Sequence, residues 1–204
     1  MNLTKYIAEQ FGRPVGIGGK ISTLIMNMTN QKQYNTVIQK LNISASEKIL
    51  DIGFGNGYLI HKLAERFKAL FWGIDVSEDM LHTATKRNKR AIKQGNMKLQ
   101  VGNVSEMEYE ACFFDKIYTV NTIYFWSDIN TGLSEIRRVL KTGGIFVNAV
   151  YSKKFLDSLH HTNYLYKKYT KEELEEAIHQ NGFEILEAAE IKKDMSYCYV
   201  LKKI

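Results

Sequence analysis

Three glycines at alternate positions, Gly53, Gly55 and Gly57, form the part of this sequence in which residue type and spacing most clearly indicate chemistry. They follow a short, mostly apolar run at residues 49–52, which is typical of a buried parallel strand, and a helical pattern begins at Tyr58. A strand, a glycine loop and a helix in this order open a nucleotide-binding βαβ unit. The sequence therefore predicts that a nucleotide-like ligand approaches the backbone here.

The residues around this loop distinguish between possible ligands. The dinucleotide fingerprint GxGxxG requires glycine at position 58, where this chain has Tyr58. Asp51 precedes the loop and would repel the pyrophosphate of a dinucleotide, whereas it suits a cationic group. Asp75, at the end of the next apolar run, can accept hydrogen bonds from a ribose diol. We therefore expect S-adenosylmethionine, which has an ammonium, a sulfonium and a ribose but no phosphate.

Small and polar residues at the ends of later strands are the next candidates, because parallel sheets bind ligands at the carboxyl ends of their strands. Gly102, Asn103 and Val104 follow the third predicted strand, and Asn121 and Thr122 follow the fourth. Asn103 is nearly as compatible with a simple turn, since an asparagine side chain can bond its own backbone. We expect these five residues to lie at the same edge of the sheet as the glycine loop.

Aromatic residues after the fourth strand, with Tyr151 after the fifth, have two interpretations. Tyr124, Trp126 and Tyr151 could form a wall of a substrate pocket or belong to the ordinary core. Tyr124 and His160 are weak candidates for a general base. A structural or surface role is favoured for His160 and its neighbour His161, because adjacent residues do not face one way on a helix or a strand. No metal site is indicated.

Hydrophobic periodicity predicts strands that alternate with helices. This alternation implies a parallel sheet covered on both faces, and the last two strands read as an antiparallel pair. We predict an α/β fold: a Rossmann-like, doubly wound, mostly parallel seven-stranded sheet with an antiparallel C-terminal hairpin strand. Strands are expected near 48–52, 70–75, 97–101, 114–120, 145–151, 183–191 and 195–201, and helices near 21–41, 58–67, 78–93, 129–140 and 170–180. Helix N-caps are expected at Ser77 and Asp128, and Thr170 with Glu173 fits a capping box.

The chain is expected to divide into two parts. Residues 1–43 form an N-terminal segment with a helix, which acts as a lid or contacts substrate, and residues 44–204 form the cofactor-binding core. The glycines of residues 12–20 superficially resemble a phosphate-binding P-loop. That motif would require glycine in place of Pro14 and Ser or Thr in place of Ile21, so we reject it.

Composition restricts the class of protein. A chain of 204 residues with 45% hydrophobic and 25% charged residues suits one soluble globular domain. No apolar run approaches the ~20 residues of a membrane span, and the N-terminus has no signal-peptide pattern. Cys112 and Cys198 are far apart and show no zinc-binding spacing, so a reducing cytoplasm is expected.

The net charge of +6 raises the question of an acidic partner. Much of the excess lies at residues 86–90 and 192–193, without interleaved aromatic residues. A solvated, lysine-rich surface is the favoured interpretation, and a nucleic-acid partner is disfavoured.

Five segments in the expected order resemble the motifs of the class I S-adenosylmethionine-dependent methyltransferases. Residues 49–57 are similar to their first motif, 73–80 to the end of their second strand, and 101–104 to the third. Residues 114–118 and 135–144 are similar to the fourth-strand motif and to the passage into the fifth strand. The resemblance covers about residues 46–150, and the order of the motifs makes it specific.

The resemblance implies a role for each matching position. The glycine loop with Asp51 would hold the methionine end of the cofactor, Asp75 the ribose, and Val76 with Met80 the two faces of adenine. Family members usually have Asp where this chain has Asn103, whose neutral amide is a weaker acceptor for the adenine amino group. The full implied cofactor-binding set is Asp51, Gly53, Phe54, Gly55, Gly57, Asp75, Val76, Met80, Gly102, Asn103, Val104, Asn121 and Thr122.

The resemblance also implies an activity. We expect an enzyme that moves a methyl group from the sulfonium to a small-molecule acceptor by in-line displacement, leaving S-adenosylhomocysteine. One alternative is an RNA methyltransferase, although the Asn/Asp-Pro-Pro-aromatic motif of amino-methylating enzymes is absent after the fourth strand, where the chain has Asn121-Thr122-Ile123-Tyr124. Another is a protein that binds the cofactor without catalysis. The acceptor and the oligomeric state are not indicated.

Overall fold

The structure is a computed structural model that describes residues 28–164 and 166–204. Most of the predicted N-terminal segment, including the glycines around Pro14, lies outside the described residues. The helices are α1 (Gln31–Leu41), α2 (Tyr58–Arg66), α3 (Glu78–Arg87), α4 (Lys89–Lys93), α5 (Ile129–Val139), α6 (Lys153–Asp157) and α7 (Lys171–Gln180). The strands are β1 (Lys48–Ile52), β2 (Leu70–Asp75), β3 (Met97–Val101), β4 (Phe114–Val120), β5 (Leu140–Tyr151), β6 (Phe183–Lys192) and β7 (Ser196–Lys203).

The seven strands of the described residues form one sheet in the order β3-β2-β1-β4-β5-β7-β6. Strands β1 to β5 are parallel to one another, and β7 is antiparallel to both β5 and β6. The predicted fold class is therefore confirmed. From β1 the chain moves outward to β2 and β3 and then crosses back to β4, so the loops after β1 and β4 diverge. This divergence opens a crevice at the carboxyl edge of the sheet.

Apolar residues are buried on both faces of the sheet. Ile49 and Leu50 are adjacent in β1 and fully buried, and they belong to different core clusters. Leu50 packs in the cluster that includes Ile136 of α5, and Ile49 packs in the cluster that includes Val37 of α1. Burying a side chain of this size contributes about 1.5–3 kcal/mol. Two-sided burial explains why the central strand is apolar at successive positions rather than at alternate ones.

The single helix predicted at 78–93 is two helices, α3 and α4, that meet at Asn88. Asn88 is almost fully buried, and its Nδ2 donates to the carbonyl oxygens of Gly57 and Ala84. An asparagine inside a helical pattern competes for backbone groups in this way, which accounts for the break. The predicted N-cap at Ser77 is confirmed, since its hydroxyl accepts from the amide of Met80.

Strand β5 begins earlier than predicted, at Leu140 rather than near residue 145. Leu140 pairs with Phe114, and the register then shifts so that Lys116 pairs with Ile145. The glycines at 143 and 144 therefore lie in an irregularity within the strand instead of ending the preceding helix outside the sheet. Two short 3₁₀ turns, Ile123–Phe125 and His160–Asn163, and the short helix α6 were not predicted.

Candidate cofactor-binding site

A cavity of about 260 Å³ lies at the carboxyl edge of the sheet, where β1 to β4 end. We call it the cofactor cavity. It brings together the glycine loop, the residues after β2, β3 and β4, and the start of α1. Its lining consists of Asn30, Tyr34, Asp51, Ile52, Gly53, Phe54, Gly55, Asn56, Tyr58, Leu59, Ile74, Asp75, Val76, Gly102, Asn103, Val104, Val120, Asn121, Thr122, Phe125, Trp126 and Ser127.

Two of the three glycines in the loop have no room for a side chain, and the third faces open space. A Cβ atom on Gly53 would clash with the side chain of Thr122, and one on Gly57 would lie 2.7 Å from the Cβ of Ala84. A Cβ atom on Gly55 would meet no described atom within 4 Å. The loop therefore packs tightly against β4 and α3 while leaving its backbone at Gly55 accessible to a ligand.

Asp51 is a buried carboxyl group that accepts a hydrogen bond from one side chain among the described residues. It is 4% exposed, and the hydroxyl of Tyr118 donates to its Oδ2 at 2.7 Å. Desolvation raises the pKa of Asp51 to about 8, and the negative charge of Asp75 contributes in the same direction, while the bond from Tyr118 lowers it. A cationic ligand group in the cavity would favour the ionised form. The residue thus matches the ammonium of the expected cofactor.

Asp75 lies at the end of β2, with its two oxygens turned to different amides. Oδ2 accepts from the amide of Gly55 at 2.8 Å, and Oδ1 accepts from the amide of Ser77 at 2.9 Å. Burial raises its pKa, and the backbone bonds oppose this change. Each carboxylate oxygen can accept more than one hydrogen bond, so the group retains capacity for a ribose diol.

The residues expected around adenine separate into two groups. Val76, Gly102, Asn103 and Val104 line the cofactor cavity, and Val76 is 48% exposed. The Oδ1 of Asn103 accepts from the amide of Ser105 at 3.0 Å, as in the turn that was the alternative interpretation. Met80 is 2% exposed and packs with Phe54 and Ala84, away from the cavity lining. In this structure it supports Phe54.

The expected substrate-pocket residues are also divided. Trp126 lines the cofactor cavity, and its Nε1 donates to Thr122 Oγ1 at 3.3 Å. Tyr124 and Tyr151 instead line a second cavity, of about 520 Å³. The hydroxyl of Tyr151 donates to Asn30 Oδ1 at 2.7 Å. The turn Ile123–Phe125 therefore lies between the two cavities, with Phe125 facing one and Tyr124 the other.

The two suggested bases do not reach the cofactor cavity in this structure. The Tyr124 hydroxyl is buried, within hydrogen-bond distance of the backbone carbonyl oxygen of Tyr151 and of Asn121 Oδ1. Desolvation holds the pKa of Tyr124 well above its ordinary value. His160 is exposed in the turn His160–Asn163 and lies outside the lining of both cavities. Neither arrangement favours proton abstraction from an acceptor beside the cofactor.

Helix α1 supplies cavity residues that sequence reasoning missed. Asn30 and Tyr34 lie at its start and line the cofactor cavity, and Tyr58, Phe125 and Ser127 add to the wall. Tyr34 fits the apolar stripe of the helix, and helical periodicity does not distinguish a core aromatic from one at a cavity wall. Burial raises the pKa of Tyr34 to about 12.

Two features are absent from the part of the chain that the structure describes. It contains no group of three or more His, Cys, Asp or Glu side chains that could hold a metal ion. None of its helices is long and apolar enough to cross a membrane.

Comparison with known proteins agrees with this geometry. A family model described as a methyltransferase domain matches residues 49–144, which include β1 to β4 and the glycine loop. An uncharacterized methyltransferase of Bacillus subtilis, YdaC, is 36% identical over 125 residues, covering 61% of this chain and 67% of that protein. The chain belongs to the class I S-adenosylmethionine-dependent methyltransferases.

Two other methyltransferases match a larger share of the chain. The O-methyltransferase resE of Aspergillus sclerotiorum is 25% identical over 186 residues, covering 87% of this chain and 70% of that protein. Geranyl diphosphate C-methyltransferase from Streptomyces coelicolor, solved with Mg²⁺, geranyl diphosphate and S-adenosylhomocysteine, has a TM-score of 0.76 at 13% identity. That match covers 86% of this chain and 81% of the solved one, and it shows a shared fold.

Proposed function

We propose that this methyltransferase transfers the methyl group of S-adenosylmethionine to a small-molecule acceptor. The observation that supports it most directly is the chemistry of the cofactor cavity. Its only acidic lining residues among those described are Asp51 and Asp75, and the described lining contains no Lys or Arg. Contacts of Lys and Arg with phosphates supply much of the affinity for a nucleic acid, whereas a cavity walled by amides and aromatic rings suits a small molecule.

The residues present fit the cofactor. Asp51 is buried and would hold the ammonium group, Asp75 would accept the ribose hydroxyls, and the open backbone at Gly55 would let the ligand approach. Val76, Asn103 and Val104 would border adenine, while Asn121 and Thr122 would border the methionine end. These assignments combine the family motifs with the lining of a single cavity.

The bound cofactor supplies an activated methyl group on a positively charged sulfur. The protein has to align the acceptor with that group and exclude water, and good alignment alone can contribute about 7–11 kcal/mol. Tyr34 and Asn30 from α1, with Phe125 and Trp126 from the β4–α5 connection, enclose the cavity and would form the acceptor side. An acceptor that is already nucleophilic at neutral pH needs no protein base.

The test is a transfer assay with a labelled methyl group. The protein is incubated with methyl-labelled S-adenosylmethionine and, separately, a metabolite filtrate below 1 kDa, total RNA, or buffer. We expect label to enter the filtrate. Label in RNA would support the nucleic-acid alternative and contradict the proposal, and binding of the cofactor without transfer to either pool would indicate a non-catalytic binding protein.

A further inference from the structure

Helix α1 is joined to the end of β4 by a pair of side-chain amides. Gln33 Nε2 donates to Asn121 Oδ1 at 3.1 Å, and Asn121 Nδ2 donates to Gln33 Oε1 at 2.8 Å. The residues are 88 positions apart in the sequence and are 2% and 8% exposed. Breaking a buried reciprocal pair leaves unpaired polar groups out of water, so each amide fixes the other.

Asn121 connects this pair to the cofactor cavity. It lines the cavity directly after β4 and has a φ angle of 58°, in the left-handed region. Asparagine adopts this conformation more readily than other non-glycine residues, and the hydrogen bonds of its side chain fix it there. Asn121 Oδ1 also accepts from the Tyr124 hydroxyl at 3.3 Å, and the backbone N–H of Asn121 donates to the carbonyl oxygen of Ala149 at 2.9 Å.

We propose that Gln33 is a positioning residue for methyl transfer. It holds Asn121, and with it the backbone that leads into Thr122, in the conformation that borders the methionine end of the cofactor and the transferred methyl group. Gln33 does not line the cavity, so it acts through Asn121. This inference rests on the proposed function, which places the Asn121–Thr122 backbone beside the methyl group.

A purely structural role is the competing explanation, because the pair also anchors α1 to the sheet. The two roles differ in what they do to closely related ligands. S-adenosylhomocysteine differs from S-adenosylmethionine only in lacking the transferred methyl group and the positive charge on sulfur. Displacement of Asn121 would therefore change the affinity for S-adenosylmethionine more than the affinity for S-adenosylhomocysteine, whereas general loosening of α1 would change both by the same factor.

The first experiment compares Gln33→Leu with Gln39→Leu, an exposed position on the same helix. Dissociation constants for both ligands are measured by titration calorimetry, and the free energy of unfolding by urea denaturation. We expect Gln33→Leu to weaken the binding of S-adenosylmethionine about tenfold more than the binding of S-adenosylhomocysteine. A tenfold difference corresponds to about 1.4 kcal/mol. Gln39→Leu should leave the ratio unchanged. An unchanged ratio in Gln33→Leu, with or without lower stability, would overturn the positioning role.

The second experiment tests whether the effect passes through Asn121. Asn121→Gly keeps the left-handed backbone accessible but removes the amide, so Gln33→Leu added to it should change the affinity ratio no further. Additive effects of the two substitutions would overturn the inference. Gln33→Glu retains an acceptor for Asn121 Nδ2 and should keep part of the wild-type ratio, which gives a measurement if Gln33→Leu does not fold.

The two proposals can fail separately. A wild-type protein that binds neither ligand contradicts the proposed function itself. A wild-type protein that binds both, with an affinity ratio that Gln33→Leu and Gln33→Glu leave unchanged, contradicts only the role of Gln33.

Discussion

At the scale of single residues, position at the end of a strand predicted which side chains lie at the cofactor cavity better than residue type did. Asp51 and Asp75 lie at the cofactor cavity because every strand of a parallel βαβ unit ends at the same edge. The expectations for Met80 and Tyr124 rest on resemblance or on proximity in sequence, and neither residue lines that cavity. Tertiary packing decides on which side of a turn a side chain lies, and the spacing of residues in the sequence does not predict it.

Asp51→Asn should remove a pH dependence from both stability and binding. The folded-state pKa of about 8 lies above the ordinary value of 3.8, so the ligand-free protein is most stable at low pH with respect to this group. That contribution to stability is lost progressively as pH rises from about 4 through about 8, because Asp51 ionises at a lower pH in the unfolded chain than in the folded protein. Cofactor affinity should rise over the upper part of this range, since the ammonium prefers the carboxylate.

Urea denaturation and calorimetric titration at pH 5 and pH 7 check both effects, because the α-amino group of the cofactor is protonated at both values. In the Asp51→Asn variant, stability should differ less between the two pH values than in the wild type, and cofactor affinity should be low at both. Glu78→Ala, an exposed acid at the start of α3, is the control for general charge effects. Equal pH dependence in Asp51→Asn and the wild type would contradict the assignment.

Asp75→Ala should weaken cofactor binding while leaving the protein folded. Hydrogen bonds to charged groups contribute about 1.5–3 kcal/mol each, so losing the ribose contacts corresponds to at least tenfold weaker binding. Stability should fall by only about 1–3 kcal/mol, because the amides of Gly55 and Ser77 lose their acceptor. Calorimetry and circular dichroism measure the two quantities. Unchanged affinity in the folded variant would place ribose recognition elsewhere.

At the scale of elements, the sequence predicted strands and helix caps well and predicted breaks poorly. The capping box of Thr170 and Glu173 at α7 and the N-cap at Asp128 are both present, because they depend on residues three positions apart. The break at Asn88 depends on its contact with Gly57, 31 positions away. Local capping patterns determine where these helices begin, while contacts between elements determine where a helix is interrupted.

The contact between the glycine loop and α3 yields a prediction of its own. Gly57→Ala places a Cβ 2.7 Å from Ala84 Cβ and 2.8 Å from Asn88 Nδ2, at a φ angle of 72°. Left-handed strain and overpacking together should cost about 2–4 kcal/mol. Gly95→Ala is the matched control, because its φ angle is 75° and its Cβ would meet no described atom within 4 Å. Urea denaturation should show a cost of only about 1–2 kcal/mol there; equal costs would rule out a steric role for this contact.

At the scale of the whole molecule, the order of strands determines where a ligand can bind. Strand alternation predicted the parallel sheet and its antiparallel C-terminal strands, and with them a ligand site at the carboxyl ends of the parallel strands. The participation of α1 in the cavity could not be predicted, because Gln33 and Asn121 are 88 positions apart and neither belongs to a local pattern that pairs them. The described start of α1 thus contributes to the same site as the family motifs.

A cofactor bound at the ends of four strands should stabilise the molecule as a whole. Ligand at ~100 times its dissociation constant adds about 2.7 kcal/mol to the free energy of unfolding. For a chain of this size that corresponds to a rise of roughly 5–10 °C in Tm. We expect this shift with S-adenosylmethionine and S-adenosylhomocysteine, measured by differential scanning fluorimetry, and none with NAD, whose pyrophosphate would meet Asp51. Stabilisation by NAD alone would contradict the cofactor assignment.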